Sequence, residues 1–131
     1  MARYLLDTCV CISMFRNEGN VINTLKEIGP QNCYISEITI AELYFGLAKS
    51  NDKAQKLKDI QQVQKLFRVI PAYPSFKEYG EIRHSLEHKG MRVDQFDLLI
   101  GATAVHHEMV LVTSNIKHFE RIPGLNIENW K

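Results

Sequence analysis

What most constrains this chain is a repeated alternation: the short apolar runs "RYLL", "CYIS", "RVIPAYP", "MVLVTS" and "IPGLNIENW", with longer stretches of helical spacing between most of them. Strands that alternate with helices bury both faces of a parallel sheet beneath their crossovers. The expected fold class is therefore α/β, a three-layer domain with a mainly parallel central sheet flanked by helices, and residues 1–131 read as one domain. In such sheets the ligand crevice lies outside the carboxyl ends of the strands. Asp7 and Asn115 each follow a strand directly, so both are expected on that edge.

The helical stretches carry their own punctuation. "CVCISMF" continues from the first strand and can be capped by Asp7 or Thr8, and "GNVINTLKEIGP" closes on Gly29 and Pro30. Ser36 is a natural cap for "EITIAELYFGLAKS", whose apolar spacing runs Ile38, Ala41, Tyr44 or Phe45, Ala48. Between Asn51 and Phe67 one stripe of Leu57, Ile60, Val63 and Phe67 opposes a face of Lys and Gln, the pattern of an amphipathic helix. Phe76, Tyr79, Ile82 and Leu86 predict a further helix ending near Gly90. "FDLLIGATAV" predicts another, capped by Asp97.

Composition narrows the function. With 16 Lys and Arg against 15 Asp and Glu the formal charge is +1, so no overall field draws the chain to nucleic acid and any such binding needs local patches. The apolar opening "MARYLLDTCVCISMF" is interrupted by Asp7 and reads as a strand entering a helix rather than a signal peptide. No apolar run approaches the roughly 18 to 20 residues of a membrane helix. Cys9, Cys11 and Cys33, an odd number in apolar surroundings, read as core thiols in a reducing cytosol.

The carboxylates carry the chemistry. An Asp at a helix start is first of all a cap, contributing about 1 kcal/mol. That account is weakest for Glu42, because "ITIAELYFGLA" is apolar nearly all round and predicts a buried carboxylate in need of a partner. Were Asp7, Glu42 and Asp97 to meet at one sheet edge, each pair about 5 Å apart would repel by roughly 3 kcal/mol at an effective dielectric near 20. Such clusters persist when a divalent cation compensates them, and oxygen-only ligands suit Mg²⁺ or Mn²⁺.

In order and spacing, "YLLDTCV", "ISEITIAELYFGL", "FDLLIGATAV" and "LVTSNIKHFERIPGLNIENW" resemble the PIN-domain toxins of the VapC type over essentially the whole chain. The resemblance implies that Asp7, Glu42 and Asp97 are metal-binding acids converging at one end of the sheet. It implies a Mg²⁺- or Mn²⁺-dependent endoribonuclease acting on tRNA or ribosomal RNA, partnered by a small antitoxin, in the cytoplasm and with a homodimer as the unit. Asn115 stands where many relatives carry a fourth acid, which favours one metal over two and leaves Asn115 to help hold substrate or a second ion. Cys9 stands where many relatives have Asn. Thr8 and Thr113 are expected to act through hydrogen bonds to the acids. Asp94 is expected to cap or to face solvent, and Lys49, Arg83, Lys89, Arg92, Lys117 and Arg121 are candidates for a basic rim.

Three rival readings are weaker. "HSLEH", His84 to His88, matches a zinc-protease pattern but has no third ligand or room for a cleft. A receiver domain would need adjacent acids after the first strand, where Asp7 stands alone. A PIN fold that binds RNA or a protein without cutting is the closest alternative, because Asn115 replaces an acid.

Overall fold

The computed structural model describes residues 2–131. Five parallel strands form one sheet: β1 (Tyr4–Leu6), β2 (Cys33–Ser36), β3 (Arg68–Ile70), β4 (Val110–Val112) and β5 (Ile127–Glu128), in the order β3-β2-β1-β4-β5. Seven helices surround it: α1 (Thr8–Phe15), α2 (Val21–Ile28), α3 (Glu37–Lys49), α4 (Lys53–Leu66), α5 (Phe76–His88), α6 (Gln95–His107) and α7 (Ile116–Phe119).

Strand alternation builds the three layers. In β1, Leu6 joins a core with Val10, Leu25, Leu43 and Val63, from α1 to α4. Its neighbour Leu5 points the other way and packs with Ile82, Leu86, Leu98 and Ile100 of α5 and α6. In β4, Val112 and Leu111 divide between the same two cores. Because successive side chains on a strand face opposite sides, the sheet is covered on both faces at its inner strands, as parallel sheets require, while Val69 of the edge strand β3 is exposed.

The register places β1 beside β4, with Leu6 opposite Val112, while β2 flanks the other side. The chain thus runs outward from β1 through β2 to β3, then returns across β1 to β4. This reversal is the switch point at which α/β sheets open a crevice beyond the strand ends.

Two helix readings need correction. Of the stripe Ile38, Ala41, Tyr44 or Phe45, Ala48 in α3, Ile38 packs partly buried against the second core, but the rest is exposed, with Phe45 at 63%; Thr39 and Leu43 are the buried residues. Lys49 lies 4.3 Å over the Phe45 ring, so a cation covers part of this apolar face. In α4 and at its C-cap, Ile60, Val63 and Phe67 are buried as predicted, but Leu57 is exposed. The short helix α7 has no counterpart in the sequence reading. Phe119 and Ile122 anchor its segment in the core, and Gly101 of α6 makes room: a Cβ there would stand 2.6 Å from Ile122 Cδ1.

Candidate active site

Asp7 leaves β1 at the switch point, its backbone N–H donating to the Val112 carbonyl at 2.9 Å. It is buried, with 3% exposure, and its carboxylate is held from both flanking segments. Oδ1 accepts from the Thr8 backbone N–H at 2.8 Å, which is the α1 cap. Oδ2 accepts from the Thr113 hydroxyl at 2.8 Å and from the Cys9 thiol at 3.4 Å. The expected hydrogen bond from Thr113 to an acid is therefore present, and Cys9, partly buried and packed against the core, also borders this carboxylate. Ser114 Oγ donates to the same sulfur at 3.4 Å. Cys11 and Cys33 are the buried thiols, and burial pushes Cys33 up to about 11 and Cys11 further still.

Glu42 sits on the second turn of α3, half-buried rather than enclosed. Its Oε1 accepts from Thr8 Oγ1 at 2.6 Å. Burial raises its carboxyl above the ordinary range; the Thr8 hydroxyl opposes this, and the charges of Asp7, Asp97 and Asp94 add to the rise. The Asp97 carboxyl is also raised, first by burial and then by the charge of Asp7, while His118 acts in the opposite sense. The three acids are thus electrostatic neighbours, although they lie on three elements and span ninety residues of sequence. Asp7 comes from the end of β1, Glu42 from α3 and Asp97 from α6.

The cap of α6 is Asp94, whose Oδ1 accepts from the backbone N–H groups of Phe96 at 2.9 Å and Asp97 at 3.2 Å. Asp97 is the third helical residue, which frees its side chain from the capping role assigned to it. Its Oδ2 meets His118 Nδ1 at 3.1 Å. His118, on α7, was missed because nothing in the local pattern announced that helix. Asn115 lies just beyond β4 and is exposed; its backbone N–H donates to Thr113 Oγ1 at 3.0 Å, so it helps fix the residue that holds Asp7.

An all-carboxylate set with mutual repulsion suits a hard divalent cation. As they stand, no three Asp, Glu, His or Cys side chains among the described residues form a group that could hold a metal. Each acid is instead engaged by a protein donor: Thr113 and Cys9, Thr8, or His118. His84 and His88 stack on each other while Arg83 takes Glu87, and no zinc site forms there among the described residues.

Two cavities open nearby. The larger, about 620 Å³ and lined by Arg83, Leu86, Met91 and Leu98 among others, contains none of the three acids. The smaller, about 360 Å³, is lined by Arg92, Val93, Asp94, Lys117, His118 and Arg121 and touches the acid site through His118. Of the proposed basic rim, Arg92, Lys117 and Arg121 converge here. Lys49 covers Phe45, and Arg83 pairs with Glu87 at 3.1 Å.

A parallel sheet with acids gathered at its switch point describes a nuclease-like α/β fold, and comparison with known proteins makes this specific. The chain belongs to the PIN-domain family, whose model matches residues 4–125. It is similar along its length to VapC ribonucleases. Ribonuclease VapC2 of Rickettsia felis is 37% identical, with 97% of each chain covered. The tRNA(fMet)-specific endonuclease VapC of Salmonella typhimurium is 32% identical, with 99% of each covered. Among solved structures, DNA-bound VapBC from Salmonella typhimurium superposes with a TM-score of 0.92 at 30% identity, covering 100% of both chains.

Proposed function

We propose that this chain is a Mg²⁺- or Mn²⁺-dependent endoribonuclease that hydrolyses phosphodiester bonds in tRNA or ribosomal RNA, and that it is the toxin of a toxin–antitoxin pair. The observation that carries the metal reading is the placement of Glu42 and Asp97 around the buried Asp7: Thr8 gives its backbone N–H to Asp7 and its hydroxyl to Glu42, and the charge of Asp7 adds to the rise of both the Glu42 and the Asp97 carboxyls. Similarity to a tRNA(fMet)-specific endonuclease and to DNA-bound VapBC supports the substrate class and the antitoxin. Among the described residues no helix is long and apolar enough to cross a membrane, and three free cysteines suit a reducing cytosol.

Asp7, Glu42 and Asp97 would hold the ion. When bound, a divalent cation polarises a phosphoryl oxygen and lowers the pKa of coordinated water. Thr113 fixes the Asp7 carboxylate, Thr8 fixes Glu42, and His118 orients Asp97 from the rim, so that the acids are aimed before substrate arrives. Asn115, exposed beside Thr113, offers an amide to the substrate strand. The deciding experiment incubates purified protein with a tRNA and ribosomal RNA pool, with Mn²⁺ or with EDTA, beside Asp97→Asn. Discrete fragments only from wild type with metal are expected. Cleavage in EDTA would remove the metal from the mechanism, and no cleavage despite metal binding would favour a PIN module that binds without cutting.

A further inference from the structure

The segment that follows β4 is built to present cations. Phe119 and Ile122 are buried at 0% and 3% and pin it against α6, so the residues between and before them face outward. Lys117 and Arg121, four apart, and His118 are all exposed and line the cavity of about 360 Å³. Arg92 reaches the same cavity from the connection between α5 and α6. Among the described residues none of Arg92, Lys117 and Arg121 takes part in an ion pair. The one carboxylate in the lining, Asp94, caps the α6 amides through Oδ1 and offsets one of the three cations, which leaves the cavity with a positive excess. Three cations against one carboxylate leave a net repulsion that a further anion would relieve.

Position identifies the anion. His118 is the shared wall, bonded to Asp97 on one side and lining the cavity on the other. A strand whose scissile phosphate lies at the acids brings its next phosphates within reach, since a stacked strand rises only about 3.4 Å per nucleotide. Resting on the ribonuclease reading above, we propose that Arg92, Lys117, His118 and Arg121 form a seat for one backbone phosphate of the RNA strand flanking the scissile linkage. The seat gives a nearly neutral protein, with a formal charge of +1, the local positive field that its acidic centre lacks.

The test measures binding of a fluorescent single-stranded oligoribonucleotide to the Asp97→Asn protein, alone and combined with Arg92→Ala, Lys117→Ala or Arg121→Ala. Each substitution is expected to weaken binding about fivefold and to lower the slope of log K against log salt by about one. Lys65→Ala, on the solvated face of α4, should change neither. A scan with single neutral methylphosphonate linkages should then find one linkage whose neutralisation weakens Asp97→Asn but adds nothing in the Arg121→Ala background.

Unchanged affinity in the three variants, or losses spread evenly over all linkages, would overturn the seat. So would competition by an acidic peptide that depends on the same residues, which would assign the cavity to a protein partner. Failure of Asp97→Asn to bind any RNA would also overturn it. A Mn²⁺-dependent rise in Tm in wild type, absent in Asp97→Asn, would then still support the metal reading.

Discussion

At the scale of single residues, Asp97 decides the most. Asp97→Asn is expected to lower cleavage by more than roughly 100-fold, since it removes a proposed ligand. The fold should survive, because Asp94 rather than Asp97 caps α6. The metal-free stability should rise. Burial and Asp7 hold the Asp97 carboxyl above its ordinary value, so folding favours its protonated form. That stabilisation is fully present below the unfolded carboxyl pKa of about 4 and is lost as pH rises through the folded value. In EDTA, thermal melts from pH 4 to 7 should therefore show Asp97→Asn gaining on wild type as pH increases, and a constant gap would refute the raised carboxyl. Thr113→Val should cost about 1–3 kcal/mol in denaturant melts, because Asp7 and the Asn115 amide both lose a buried partner. Thr113→Ser should restore both stability and cleavage.

At the scale of elements, the α6 entry joins stability to function. Asp94→Ala removes a side chain that caps two amides and should lower stability by about 1 kcal/mol, with Asp94→Ser largely restoring it in the same unfolding experiment. The sequence made the helix legible but not its first residue, since "VDQFD" offers two Asp caps three positions apart and only tertiary packing selects between them. In α3 the reverse occurred. Its apolar spacing was plain, yet helical spacing does not say which apolar stripe meets the sheet, and the packed side proved to be Thr39 and Leu43. The segment bearing α7 was the least legible, because four residues are too short for periodicity and its placement depends on the space left at Gly101. With it His118 went unseen, although Lys117 and Arg121 were already among the rim candidates.

At the scale of the whole molecule, alternation of strands and helices was enough to read the layers and the parallel sheet, since the inner strands β1, β2 and β4 are covered on both faces by helices. The proposed acids were legible as residue types, and as a cluster only through the family resemblance, because spacing alone does not show that Asp7, Glu42 and Asp97 share the sheet edge set by the order β3-β2-β1-β4-β5. Their neighbourhood implies that a divalent ion stabilises the native state. Mn²⁺ at about 100 times its Kd should add about 2.7 kcal/mol to unfolding, read as a rise in Tm that EDTA reverses and Asp97→Asn largely loses.

The central place of β1 also sets a schedule for synthesis. Its partner on one side, β2, emerges early, but β4 and the Thr113 that fixes Asp7 lie more than a hundred residues downstream. A nascent chain therefore carries Asp7 through most of translation on an unfinished sheet edge, without the strand or hydroxyl that aims it. On this reading a ribosome making the enzyme would be exposed to its activity only after the last third of the chain has been released from the exit tunnel and folded back.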